Sequence, residues 1–72
     1  MNEMIMTSLR TIWGLSLESF EAQFGSQYAK KLKMSSDRFV HEGLLEIESR
    51  RLRATKEGFF LIDGIASDLF MD

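Results

Sequence analysis

Apolar residues at Ile5, Leu9, Ile12 and Trp13 keep the i, i+4, i+7, i+8 spacing of an amphipathic helix, predicting one over residues 2–13 that Gly14 ends in a left-handed turn. The next stretch, "LSLESFEAQFG", predicts a second helix with a complete start signal. Ser16 is its N-cap, Leu15 and Phe20 sit where a hydrophobic staple forms, and Glu18 lies in the first turn, where the helix dipole favours acid. Leu17, Phe20 and Phe24 share its apolar face, and Gly25 closes it. A third helix is expected over residues 26–42, with Tyr28, Leu32, Phe39 and Val40 near one face. The Ser35-Ser36-Asp37 cluster either lies within that helix or caps a second one. Continuity is the reading adopted. Gly43 is a left-handed stop, with Leu44 folding back in a Schellman motif.

The period then changes to two. Leu45 and Ile47 alternate with Glu46 and Glu48, and Leu52 and Ala54 alternate with Arg51 and Arg53. A two-residue turn at Ser49-Arg50, which lacks the Gly or Asn that favours positive φ, or a four-residue loop in the same register sets Ile47 opposite Leu52 and Leu45 opposite Ala54 on an inner face. It also sets Glu48 opposite Arg51 and Glu46 opposite Arg53 outside, so every cross-strand pair is apolar or oppositely charged. Thr55 then caps a last helix carrying Phe59, Ile62, Ala66 and Leu69 at helical spacing, with Phe60 and Ile65 widening the stripe. Gly64 inside it costs about 1 kcal/mol relative to Ala, which points to close packing at that position. The expected fold is α+β, mainly α, and winged-helix-like: three helices, a β-hairpin and a C-terminal helix, without an obvious first strand.

Length and composition narrow the class. At 72 residues the chain is a single domain, and 44% hydrophobic residues with six phenylalanines supply a core. It contains no cysteine, hence no disulfide, thiol chemistry or thiolate metal site. No stretch approaches the ~20 apolar residues of a membrane span, and the acidic start is unlike a secretory signal, so a cytoplasmic setting is the default expectation. Net charge is −2, with mildly basic middle segments between two acidic ends.

That basic middle raises nucleic-acid binding, which needs many phosphate contacts. Two of the three hairpin arginines have a glutamate opposite, and the lysines of the third helix are spaced as on any solvated face. Nucleic acid is therefore not an expected partner. His41, the single histidine, reads as a surface residue near a helix end, with no second ligand at metal spacing. No nucleophile–base constellation and no phosphate-cradling glycine loop is visible, so no catalytic residue is assigned. Met4, Ile5, Met6 and Trp13 make the first helix more apolar than it needs to be alone, as expected of a surface that docks on another domain.

The two ends together, "EMIMTSLRTIWGLSLESFEAQFG" and "HEGLLEIESRRLRATKEGFFLIDGI", resemble the C-terminal domain of the oxygen-independent coproporphyrinogen III oxidase family, including its haem-chaperone-like members. The resemblance rests on Glu3, Met4, Leu9, Arg10, Gly14, Phe24 and Gly25 at the start. Phe20 belongs to it too, and Gly43, Leu44, Leu45, Leu52, Thr55, Gly58 and Ile65 carry it in the second half, which winged-helix regulators share. Ser8, Trp13 and the Ser49-Arg50 turn depart from the usual pattern. The resemblance implies an excised C-terminal domain of a larger radical S-adenosylmethionine (radical SAM) protein, whose barrel carries a [4Fe–4S] cluster and S-adenosylmethionine. It implies a non-catalytic role here: packing beside that barrel and covering its opening, with porphyrinogen or haem reached through the parent protein. Whether the parent is an oxidase or a haem chaperone stays open. No cofactor or metal is expected on this chain. Arg10 and Trp13 are the candidate inter-domain or substrate contacts; for Arg10 an ion pair between helices is the preferred reading. A stand-alone winged-helix DNA-binding or protein-interaction module is the alternative.

Overall fold

Ile5 and Leu9, one turn apart on α1 (Asn2–Leu9), are both completely buried, and they anchor the first helix to the core of a computed structural model that describes residues 1–71. α1 stops four residues before its predicted end. The Thr11 hydroxyl donates to the Ser8 carbonyl at 2.8 Å and accepts from the Gly14 amide at 3.1 Å, replacing a further helical turn with local bonds. Ile12 and Trp13 thereby leave the apolar stripe and become exposed. Gly14 is not the helix stop but the approach to a strand. Its φ is +74°, and a Cβ there would stand 2.5 Å from both the Leu52 carbonyl oxygen and Arg53 Cβ.

That strand, β1 (Leu15–Ser16), was not apparent in the sequence because two residues show no periodicity and Ser16 also caps the following helix. It pairs antiparallel with β3 (Arg51–Ala54), Leu15 opposite Leu52 and Ser16 opposite Arg51. In α2 (Leu17–Phe24), Ser16 Oγ accepts from the Ser19 amide at 3.1 Å. Leu15 and Phe20 are fully buried, and the Phe20 and Phe24 rings lie 4.9 Å apart. α3 (Ser26–His41) is unbroken: Ser36 is buried in the stripe between Leu32 and Phe39, its hydroxyl donating back to the Lys33 carbonyl at 2.9 Å. Tyr28, expected on that face, is exposed instead. The Schellman close is present. Gly43 has φ +77°, and the Leu44 amide donates to the Phe39 carbonyl at 2.9 Å.

β2 (Leu45–Glu48) and β3 pair in the predicted register, giving a three-stranded antiparallel sheet of order β1-β3-β2. The turn takes Ser49 to φ 51° and Arg50 to φ 61°, the two left-handed residues of a tight hairpin. Leu45 and Leu52 are buried, while Ile47, nearer the hairpin tip, is partly exposed. The single last helix expected from the sequence is two: α4 (Lys56–Phe59) and α5 (Ile62–Asp68), divided where Leu61 takes φ −114°, ψ 15°. α4 is capped by Thr55, whose hydroxyl accepts from the Gly58 amide at 3.1 Å and donates to the Gly43 carbonyl at 2.6 Å. From α5 onward Ile62, Ile65, Ala66 and Leu69 close the core, whereas Phe59 and Phe60 face outward. Gly64 is exposed with no neighbour around its missing Cβ, so close packing is not what places it there; nothing in the structure explains the glycine. The fold is α+β and mainly α. Among the described residues, no helix is long and apolar enough to cross a membrane.

Candidate docking face

Arg51 and Arg53 are two apart on β3, so their side chains share the outer face of the sheet with Glu46 and Glu48. Arg53 takes both glutamates: Nε donates to Glu46 at 2.9 Å and Nη2 to Glu48 at 2.7 Å. Glu48 therefore pairs with its diagonal neighbour rather than with Arg51 opposite it, as the reach of a long arginine side chain allows. Arg51 is left with one long contact, Nη1 donating to the Trp13 carbonyl at 3.5 Å. Arg50, at the turn, points to Glu18 at 3.4 Å.

Beside this charged strip runs an open groove of about 550 Å³. Thr11 and Ile12 from the α1–β1 turn line it, as do Phe59 and Phe60 from the end of α4; Arg53, Glu46 and Ala54 contribute from the sheet. Its apolar side chains are unusually open for a small domain: Ile12 is 73% exposed, Trp13 next to it 68%, Phe59 44% and Phe60 83%. Leu61 extends the ridge and is also exposed. Large apolar side chains gathered in this way mark a surface that another body covers. Of the charged groups lining the groove, Arg53 and Glu46 satisfy each other, and Lys56 is exposed with no carboxylate paired to it among the described residues. The groove therefore has the character of a contact surface, not of a pocket whose polar groups converge on a small ligand.

The two residues singled out from the sequence separate here. Trp13 is exposed and follows the groove residue Ile12 in the chain, without lining the groove itself. Arg10 turns to α5, where its Nε and Nη2 donate to Asp63 Oδ1 at 3.0 and 2.8 Å, the ion pair between helices that was the preferred reading. Met4 and Met6 pack partly against the domain's own core, so the excess apolar surface is not theirs. Phe59 and Phe60, which helical spacing places in the core stripe, belong to the exposed face. The signal was present in "FFLI": four consecutive apolar residues on a helix point in all directions, so they cannot all be buried by one core. His41 is exposed in the last turn of α3, and among the described residues no three His, Cys, Asp or Glu side chains are grouped to hold a metal ion.

No curated protein and no solved structure matches the chain. The family described as the HemN C-terminal domain does, over residues 1–61, which takes in the α1–β1 turn, the hairpin and the Phe59–Leu61 ridge. The chain belongs to the HemN C-terminal domain family.

Proposed function

We propose that this chain is the non-catalytic C-terminal domain of an oxygen-independent coproporphyrinogen III oxidase-like protein, active in porphyrin biosynthesis or haem delivery in the cytoplasm. Its groove face packs beside the radical SAM barrel of that protein and covers the barrel's opening. The observation that carries this reading is the exposure of Ile12, Phe59 and Phe60 along one groove, with Trp13 exposed at the next chain position to Ile12, in a domain whose own core is closed without them. A [4Fe–4S] cluster of this class is held by cysteine thiolates, and the chain has no cysteine, so the residues here do not fit the cluster. Cluster, S-adenosylmethionine and the chemistry on porphyrinogen belong to the barrel. The domain contributes contact area and the exclusion of water.

The chain has one tryptophan, so its indole resonance is an unambiguous reporter of the face. Isotope-labelled chain titrated with the separately purified, unlabelled radical SAM barrel of a family member should show shifts at Trp13 and at the Ile12, Phe59 and Phe60 amides. Phe60→Glu should abolish them. Shifts confined to α3, or none at tens of micromolar barrel, would overturn the assignment of this face.

A further inference from the structure

We infer that Arg51 is the residue through which the groove face recognises a carboxylate on the barrel surface; this rests on the packing just proposed and adds the chemistry of the partner. Among the described residues, every other arginine already meets a carboxylate: Arg10 Asp63, Arg38 Asp68, Arg50 Glu18, and Arg53 both Glu46 and Glu48. Arg51 faces Glu48 across the ladder, yet that glutamate is drawn to Arg53. The guanidinium is exposed, and its one partner is the Trp13 carbonyl at 3.5 Å, the outer limit of a hydrogen bond. Most of its five N–H donors are thus free, in a planar fork that suits a carboxylate.

Its position ties this free charge to the groove. Arg51 projects from the same sheet face as Arg53, which lines the groove, and it touches the backbone of Trp13, whose neighbour Ile12 lines the groove too. An apolar contact edged by one arginine and one tryptophan has the composition of an interface hot spot. The unpaired positive charge at this edge is Arg51 with Lys56, which lines the groove as an ammonium without the planar fork, and Glu46 and Glu48 keep the rest of the sheet face from being basic. A nucleic-acid backbone would meet those glutamates, whereas one carboxylate set against Arg51 would not. Charge complementarity therefore selects an apolar protein surface bearing an acidic side chain.

The test is the affinity of the chain for the same purified barrel, at about 50 and 300 mM salt, in four variants first shown to be folded by their amide spectra. Arg51→Met keeps the aliphatic stem and removes the charge; it should weaken binding about tenfold and flatten the salt dependence. Arg51→Lys should recover only part of the loss, since the ammonium lacks the fork. Arg38→Met, paired with Asp68 on α3, should bind within twofold of the unaltered chain. Phe60→Glu should abolish binding. If Phe60→Glu abolishes binding while Arg51→Met retains full affinity and slope, the Arg51 assignment is wrong and the docking face stands. If Phe60→Glu also binds normally, both fall. Tighter binding to random duplex DNA than to the barrel would likewise overturn the inference.

Discussion

A methyl group on residue 58 would land on the Leu44 carbonyl oxygen, inside van der Waals contact with the backbone that leads into β2. Gly58 is buried there because Thr55 ties the start of α4 to the Schellman turn: its hydroxyl binds the Gly43 carbonyl while its amide binds that of Leu44. Neither side of the contact is a flexible side chain, so α4 as a whole must move to admit a Cβ. Gly58→Ala should cost about 2–3 kcal/mol, the upper range for overpacking. In a domain of this size that is a fall of roughly 10–20 °C in Tm, read by thermal melting. Gly64 is the internal control. It stands exposed in the first turn of α5 with open space around it, so Gly64→Ala should stabilise by about 0.5–1 kcal/mol through helix propensity and the unfolded chain's lost freedom. Opposite signs for one substitution at two glycines separate packing from propensity; a loss at both positions would contradict the close contact at Gly58 as its cause.

The hairpin distributes its charges unequally, and mutation should reveal it. Arg53 holds two glutamates at 2.9 and 2.7 Å and is only partly exposed, whereas Arg51 holds none. Arg53→Glu should cost about 1–2 kcal/mol, by losing both pairs and setting like charges opposite and diagonal to one another. Arg51→Glu, set against Glu48 alone, should cost no more than about 0.5 kcal/mol. Equal losses in urea melts would mean that Glu48 pairs with Arg51 in solution. The register of this hairpin was legible in the sequence because period two, apolar pairing and charge pairing all specify one alignment. Helix ends were less so. α1 stops where the Thr11 hydroxyl offers the backbone nearer partners, a competition that apolar spacing does not record. The last helix divides because continuous spacing from Phe59 to Leu69 hides a change of face: α4 turns Phe59 and Phe60 outward before α5 turns Ile62 and Ile65 in. The docking face was accordingly half visible. Trp13 stands out as apolar excess, while Phe59 and Phe60 carry the spacing of core residues, and the break at Leu61 that exposes them leaves no mark in that spacing.

At the scale of the molecule, the family match and the folding unit do not coincide. The match ends at Leu61, yet Ile62, Ile65, Ala66 and Leu69 lie beyond it and are buried with Ile5 and Leu9. α5 packs against α1, and the Asn2 side-chain oxygen accepts from the Met71 amide at 2.8 Å, so the two ends of the described chain close on each other. The ion pairs from Asp63 to Arg10 and from Asp68 to Arg38 are exposed and contribute little. The attachment of α5 is therefore apolar. Any helix with apolar residues at Ile62, Ile65 and Leu69 fills the site, whereas Gly14 and Gly58 admit no side chain. Each large apolar residue removed forfeits about 1.5–3 kcal/mol of burial, and three of them approach the roughly 5–10 kcal/mol that holds a small domain together. A chain ending at Leu61 should therefore lose cooperative folding at 25 °C, with collapsed amide dispersion and no thermal transition by circular dichroism, although it retains every residue of the family match. Replacing Asp63 and Asp68 by Asn in the longer chain should leave its Tm within a few degrees, because exposed pairs are worth less than about 1 kcal/mol each. A cooperative melt from the shorter chain would place the stability of the domain in the hairpin and the first three helices instead.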